Sequence, residues 1–469
     1  MRNLLASLNP AQRLAVETTE GPLLVLAGAG TGKTRVITYR IAHLLAKRVT
    51  ATSILGLTFT NKAAGELRRR IGELVGSKQA EGLTTGTFHA FCLQVLRAHS
   101  AAAGYPRGLS ICDEGDRLAT LKAVLRELHV PSTHIRPVEL AAQISRSKSK
   151  LESPSDLLER ALDATEGLVA RAWQRYQEEL ARSRRVDFDD LLVVTVRLFG
   201  QHPAILAEYQ ARFRYLLVDE YQDTNTPQYE VVRLISRMHA NLCVVGDDDQ
   251  SIYGWRGADV TKILSFERDF PRAKVVRLET NYRSTKEILA VANRLIVHNP
   301  RRHPKTLVSA LGSGELVQSV CMRDEAYEAE YIVREIAERV RKGEAGFAEH
   351  AVLFRTAPQA RTFEAELRLK QVPYVLVGGM SFFDRKEVRD VLAYLRLVVD
   401  PEDELSLLRV VNAPPRGIGQ ATLERVLSFA TDRGICAAAA FARASEIDKV
   451  SSEAAAVVTR LLERLCAHG

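Results

Sequence analysis

Pro22-Leu23-Leu24-Val25-Leu26-Ala27-Gly28-Ala29-Gly30-Thr31-Gly32-Lys33-Thr34 joins an apolar run to a glycine-rich turn that leads straight into a helical pattern. The helix is read from Val36, Ile37, Ile41, Leu44 and Leu45, which recur at helical spacing. A strand, a glycine-rich turn, then Lys and Thr opening a helix make a phosphate-binding loop. The glycines let backbone N–H groups face an anion, and the helix N-terminus adds a positive dipole end. Lys33 would reach the β and γ phosphates of a nucleoside triphosphate, and the Thr34 hydroxyl would ligate Mg²⁺. One position departs from the general pattern, with Ala27 where Gly is usual. The stretch predicts an α/β fold with a parallel sheet and a bound nucleoside triphosphate.

The bulk of the chain fits that reading. At 469 residues it is too long for one core, and about three domains are expected. Its 46% hydrophobic and 26% charged residues are ordinary for a globular protein. No run of apolar residues is long enough to span a membrane, and Met1–Ala6 lacks the sustained apolar core of a secretion signal. Six cysteines (Cys92, Cys112, Cys243, Cys321, Cys436, Cys466) stand far apart with no C-x-x-C pair, which predicts reduced thiols in a cytoplasmic protein rather than a zinc ribbon. A net charge of +8 favours a polyanionic partner, nucleic acid before membrane. Arg68-Arg69-Arg70, Arg146/Lys148/Lys150, Arg182/Arg184/Arg185 and Arg301-Arg302 are local basic clusters, each of which reads more simply as a solvated face.

Along the chain, runs at 22–27 and 54–59 are candidate parallel strands, and residues 1–90 alternate strand and helix. From 91 to 186 the strand signal gives way to helical spacing at Leu118, Leu121, Val124, Leu125 and Leu128, then at Leu168, Val169, Trp173 and Tyr176, as in a helical insertion. Strands resume at Tyr215–Val218, Leu242–Val245 and Val275–Leu278, each ending in polar residues. In a wound parallel sheet those ends face the ligand. A second α/β pattern follows, with candidate strands at Leu316–Cys321, Ala351–Phe354 and Tyr374–Val377, and a helical, alanine-rich tail begins near 384. The expected division is therefore 1–90 with 187–280, an insertion at 91–186, then 281–383 and 384–469.

Three further stretches carry chemistry. Leu216-Leu217-Val218-Asp219-Glu220 ends a buried strand in two carboxylates, which suits Asp219 to Mg²⁺ and Glu220 to orienting or deprotonating an attacking water. Gly246-Asp247-Asp248-Asp249-Gln250 ends the next strand and places Gln250 to sense a γ-phosphate. A few residues on, Tyr253 and Trp255 are suited to stacking on bases of a single strand, with interface core as the alternative reading of Trp255. In Asn281-Tyr282-Arg283-Ser284, Arg283 has the chemistry of an arginine finger and Tyr282 that of an adenine platform. Asp187-Phe188-Asp189-Asp190-Leu191 reads as a helix start rather than a metal triad, because acids favour the positive end of a helix.

Taken in order, these stretches resemble superfamily 1 DNA helicases of the UvrD/PcrA/Rep type, the Rep-like members most closely. The likeness is carried by Leu8–Gln12, Ala27–Arg35, Thr58–Ala64, Thr87–His89, Leu217–Thr224, Gly246–Gly257, Asn281–Ser284 and Gly378–Phe383. It implies two RecA-like domains with ATP and Mg²⁺ between them, and a helical insertion in each. It also implies 3′→5′ movement on single-stranded or forked DNA, in replication or repair. By the same resemblance Gln12, Arg35 and Tyr282 serve the nucleotide, and Gln250 and Arg283 contact the γ-phosphate. Phe59, Thr60, Asn61, Phe88, His89, Tyr253, Trp255 and Arg256 would then lie along the single-strand path.

Family members run on for roughly another 200 residues that carry two more motifs, one of them with a second arginine finger. The tail from Glu387 to Gly469 contains neither a His-x-x-Lys-Gly-Leu-Glu-like nor a Val-x-x-Thr-Arg-like stretch. The expectation is a shortened motor with an incomplete second RecA-like domain, able to bind ATP, slow to turn it over and prone to self-association through an open sheet edge. Two other readings stand beside it. One is a nucleotide-gated single-strand-binding or regulatory protein without unwinding activity; the other is an unrelated P-loop enzyme such as a small-molecule kinase, against which the Tyr253/Trp255 loop argues.

Overall fold

The computed structural model describes residues 5–105, 108–131, 134–377 and 386–466. By contact the chain divides into two compact units, residues 1–317 and 318–469.

The first unit is organised by six strands: β1 (Leu23–Ala27), β2 (Ile54–Thr58), β3 (Thr84–Thr87), β4 (Tyr215–Val218), β5 (Leu242–Gly246) and β6 (Lys274–Leu278). They form one sheet in the order β3-β2-β4-β5-β1-β6, every pair parallel. The inner strands are Leu/Val-rich and buried throughout, as expected of parallel strands covered on both faces. Alternation sorts their side chains. Leu24, Leu26, Leu55, Leu57, Leu216, Val218, Leu242 and Val244 join one core layer, while Leu23, Val25, Ile54, Leu217, Cys243 and Val245 join the other. Because all six run the same way, their carboxyl ends share one edge.

The sequence strands at 22–27, 54–59, 215–218, 242–245 and 275–278 are present to within a residue or two. β3 was not anticipated. Its Thr-Thr-Gly-Thr sequence has no apolar alternation and is fixed by pairing with β2 at the sheet edge. Helices α1 (Pro10–Glu17), α2 (Lys33–Ala46) and α3 (Asn61–Val75) begin on an Asn cap, the phosphate loop and a Thr cap respectively. The helices Glu114–Glu127, Pro137–Lys148, Pro154–Glu159 and Ala164–Arg182 follow, with Leu121, Leu140, Ile144, Trp173 and Tyr176 in a core of their own. Asp187 caps the helix Phe188–Gln201 in a reciprocal box with Asp190, so the acidic run is a helix start.

Residues 281–317 belong by contact to the first unit, where Thr280–Asn281 pairs with Val308–Ser309 in a short parallel ladder. The second unit is helical among its described residues, with a core of Leu397, Leu407, Val410, Val426, Phe441 and Val458. The three further strands expected at 316–321, 351–354 and 374–377 are not formed. Leu316, Val320, Leu353 and Val375 lie exposed there, and extended segments without a hydrogen-bonding neighbour do not make a sheet. The stretch Gly378–Phe383 lies outside the described residues.

Candidate nucleotide and nucleic-acid site

The phosphate loop bridges the end of β1 and α2, and its glycines sit where other segments press inward. Gly30 and Gly32 have φ of +69° and +91°, the left-handed region that disfavours side chains. A Cβ on Gly30 would meet Arg283 Cβ and Asn281 Nδ2 at 2.7 Å, one on Gly32 would meet Gln12 Nε2 at 2.8 Å, and one on Gly28 would meet Leu307 Cδ2 at 2.4 Å. Ala27 is fully buried as the last residue of β1, which accounts for Ala in place of Gly at that position. Thr31 closes the loop by donating its hydroxyl to the Gly28 carbonyl at 2.8 Å, and Ala29 receives Asn281 Nδ2 on its carbonyl at 2.6 Å. Lys33 Nζ is buried without a hydrogen-bond acceptor, 3.3 Å from Glu220 Oε2. A buried ammonium with one carboxylate neighbour and unused donors is what a phosphate oxygen would complete.

Glu220 and Asp219 follow β4. Glu220 adopts φ +51°, an unusual backbone state for a glutamate and the kind of strain that gathers at functional sites. Asp219 Oδ1 accepts the Glu220 N–H at 2.9 Å. Burial, then the Glu220 charge, push the Asp219 carboxyl up to about 7, and the same two influences push Asp223 up to about 6. A carboxylate this reluctant to ionise is one waiting for a cation. Thr34, on the first turn of α2, and Asp219 are the residues that would hold Mg²⁺. Among the described residues no group of three or more His, Cys, Asp or Glu could hold a metal, and Mg²⁺ in such sites takes few protein ligands and completes its shell with water and phosphate.

Gln222 is a residue that sequence reading missed. Its Nε2 donates to Glu220 Oε2 at 3.1 Å and its Oε1 accepts the Asp247 N–H at 2.9 Å, so it ties the ends of β4 and β5 together. Gly246 leaves room for it, since a Cβ there would lie 2.8 Å from Gln222 Oε1. Gln250 donates its side-chain amide to Asp247 Oδ2.

On the other flank, buried Gln12 donates to the Thr31 carbonyl at 2.9 Å and belongs to a reciprocal cap with Asn9. Asn9 Nδ2 donates to the half-exposed Tyr282 hydroxyl at 2.9 Å. Arg35 Nη2 donates to the Ser7 carbonyl at 3.0 Å, and its guanidinium lies 5.3 Å from the Tyr39 ring. Arg283 N–H is held by Asn281 Oδ1 at 2.8 Å, with the Arg283 side chain exposed above Gly30. Gln12, Arg35, Tyr282 and Arg283 thus border the loop from outside the β1–α2 turn.

The expected nucleic-acid residues lie at the same sheet edge. Trp255 is 69% exposed and belongs to none of the described core clusters, and Arg256 lies over both Tyr253 (5.4 Å) and Trp255 (4.7 Å). Phe59 is half-buried, and Thr60 and Asn61 are exposed where α3 begins, Thr60 capping the Ala63 N–H at 3.1 Å. Phe88 departs from expectation. At 1% exposure it is core, meeting Phe59 edge-on at 5.8 Å, and supports the surface rather than forming it. His89 is held below the ordinary histidine pKa by burial, against the pull of Asp189, and its ring lies 5.0 Å from exposed Phe188.

The basic clusters are largely committed within the chain. Arg69 and Arg70 pair with Glu66, Lys148 is buried against Asp187 and Asp190, Arg185 pairs with Asp116, and Arg302 with Asp249.

Comparison with known proteins gives two family matches. Residues 8–271 match the UvrD/REP helicase N-terminal domain, and residues 276–449 match the UvrD-like helicase C-terminal domain. The chain is 45% identical over 436 residues to the ATP-dependent DNA helicase PcrA of Staphylococcus epidermidis, covering 93% of this chain and 60% of the relative. It is 44% identical to the protein of the same name from Staphylococcus aureus, with the same coverage. It therefore spans about 60% of the length of the curated relatives it matches.

Proposed function

Because the chain belongs to the UvrD/REP helicase family, we propose that it carries the ATP site and much of the single-strand path of a DNA motor that moves 3′→5′ and separates strands in replication or repair. Mg²⁺–ATP binds with its phosphates on the 27–34 loop. Lys33 and Thr34 serve the β and γ phosphates and the metal, and Asp219 serves the metal. Gln12 and Tyr282 serve the base, and Arg35 serves the nucleotide. Mg²⁺ supplies charge neutralisation for the transferring phosphoryl group. Glu220 accepts a proton from the attacking water, while Gln250 and Arg283 meet the terminal phosphoryl. Tyr253, Trp255, Arg256, Phe59, Thr60, Asn61 and His89 hold single-stranded DNA by stacking and polar contacts.

The observation that supports this most is the buried Lys33 ammonium, unpaired on its phosphate side, beside the Glu220 carboxylate at the edge where all six strands end. Arg283 is the arginine finger that this chain brings to the terminal phosphoryl, and one such group is worth about 10³–10⁵ in rate. The working compartment is the cytoplasm.

The test is equilibrium binding of a fluorescent ATP, with and without a single-stranded oligonucleotide, alongside phosphate release. Wild type binds both ligands. Lys33→Ala loses the nucleotide, and Glu220→Gln keeps both while losing phosphate release. A chain that binds no ATP, or whose phosphate release survives Glu220→Gln, contradicts the proposal.

A further inference from the structure

The turn after β5 carries three consecutive aspartates, and one lysine from far along the chain is aimed into them. Lys305 Nζ lies 2.9 Å from Asp247 Oδ1, 2.7 Å from Asp248 Oδ1 and 2.7 Å from Asp249 Oδ2, with its side chain 3% exposed. Arg302 donates Nε and Nη2 to the two oxygens of Asp249 at 2.9 and 2.8 Å, and the His303 N–H donates to Asp248 Oδ2 at 2.6 Å. Burial works against the charge on Lys305, but the carboxylates outweigh it and hold its pKa above the ordinary lysine value.

Asp247 divides its oxygens. Oδ1 takes Lys305 and the Asp249 N–H, whereas Oδ2 takes the Gln250 side-chain amide. In this state Gln250 is parked on a carboxylate and not turned to a phosphate. To reach a γ-phosphate it must leave Asp247. That departure is cheap only if the buried carboxylate keeps another strong partner, because an ionised group left unpaired in the interior is costly.

The segment supplying that partner also touches the rest of the site. Leu307 packs on Gly28, and Val308–Ser309 pairs with Thr280–Asn281, whose Asn281 side chain holds Ala29 and the Arg283 and Ser284 N–H groups.

We propose that Lys305 is a positioning residue of the γ-phosphate response: it keeps Asp247 satisfied so that Gln250 can exchange that carboxylate for the terminal phosphate of ATP. This rests on Gln250 being the phosphate sensor. Without Lys305, Asp247 retains Gln250 as its main side-chain donor, and ATP loses its advantage over ADP while the rest of the nucleotide site is untouched.

The experiment measures dissociation constants of fluorescent ATP and fluorescent ADP, with Mg²⁺, for the full 469-residue chain. Lys305→Met should weaken ATP about tenfold, the scale of one charge-assisted hydrogen bond, and leave ADP within about twofold. Gln250→Ala should do the same, and the double variant should be no worse than either single, since both act on one event. Lys305→Arg should restore most of the preference. If Lys305→Met does not fold, the charge-compensated Lys305→Met/Asp248→Asn carries the same expectation.

A folded Lys305→Met protein with an unchanged ATP-to-ADP ratio overturns the proposal, as does a double variant whose losses multiply. A Gln250→Ala protein that keeps its preference for ATP removes the sensor reading, and this inference with it. Lys33→Ala, which should lose both nucleotides, marks failure of the site itself.

Discussion

Replacing Asp219 by asparagine should make the nucleotide-free protein more stable, and more so as pH rises. In the folded chain, burial and the neighbouring Glu220 hold this carboxyl at about 7, whereas an unfolded Asp titrates near 3.9. The folded state therefore holds this proton more tightly. The stability it contributes is complete below about pH 4 and is lost as pH rises to about 7. At about 1.4 kcal/mol for each tenfold in proton affinity, the full difference is about 4 kcal/mol, of which about 2 kcal/mol falls between pH 5.5 and 7.5.

The substituted amide cannot ionise, so the advantage of Asp219→Asn over wild type should grow by that amount across the same interval. Asp223, whose pKa is raised to about 6, titrates in both proteins and cancels in the comparison. Urea unfolding without divalent cations at pH 5.5, 6.5 and 7.5 measures this. Both tryptophans, Trp173 and Trp255, lie in the first unit, so their fluorescence reports on it. Mg²⁺ with a non-hydrolysable ATP at pH 7.5 should then stabilise wild type more than Asp219→Asn. Stabilities that run parallel with pH in the two proteins would refute the reasoning.

Other substitutions separate the roles of neighbouring residues. Trp255→Ala should weaken binding of a single-stranded oligonucleotide by about 1–3 kcal/mol, the worth of one base on an aromatic platform, at unchanged melting temperature; fluorescence anisotropy reads it. Phe88→Ala should instead lower stability by about 3–5 kcal/mol, as for a buried aromatic, visible as a shifted denaturation midpoint. Lys148→Met strands Asp187 and Asp190 in the interior and should cost about 3–5 kcal/mol in the same assay.

The sheet was legible because parallel strands covered on both faces must be apolar, as the inner runs around Leu24, Leu55, Leu217 and Val244 are, while the edge run around Val276 was legible from its shorter apolar stretch between exposed Lys274 and Arg277. β3 was not legible, because Thr84–Thr87 owes its conformation to β2 rather than to its own pattern. The opposite error arose at Leu353 and Val375, where apolar residues in an extended stretch suggest a strand but no neighbour supplies the ladder. At the site, residues whose role depends on a strand end could be read from adjacent sequence, as with Lys33, Asp219 and Glu220. Residues that act by reaching across could not. Gln222 and Lys305 are unremarkable in sequence and acquire meaning only when β4, β5 and the 302–309 segment come together. Phe88 shows the limit of a motif, since neighbours in sequence alternate between surface and core.

The most direct test of the account is a crystal structure of this chain with Mg²⁺ and a non-hydrolysable ATP. The account predicts the terminal phosphate within hydrogen-bonding distance of Lys33 Nζ and the Arg283 guanidinium, with the metal on Thr34 and the Asp219 side. A nucleotide bound elsewhere, or one on the loop with Arg283 turned away and Lys33 still facing only Glu220, would contradict it.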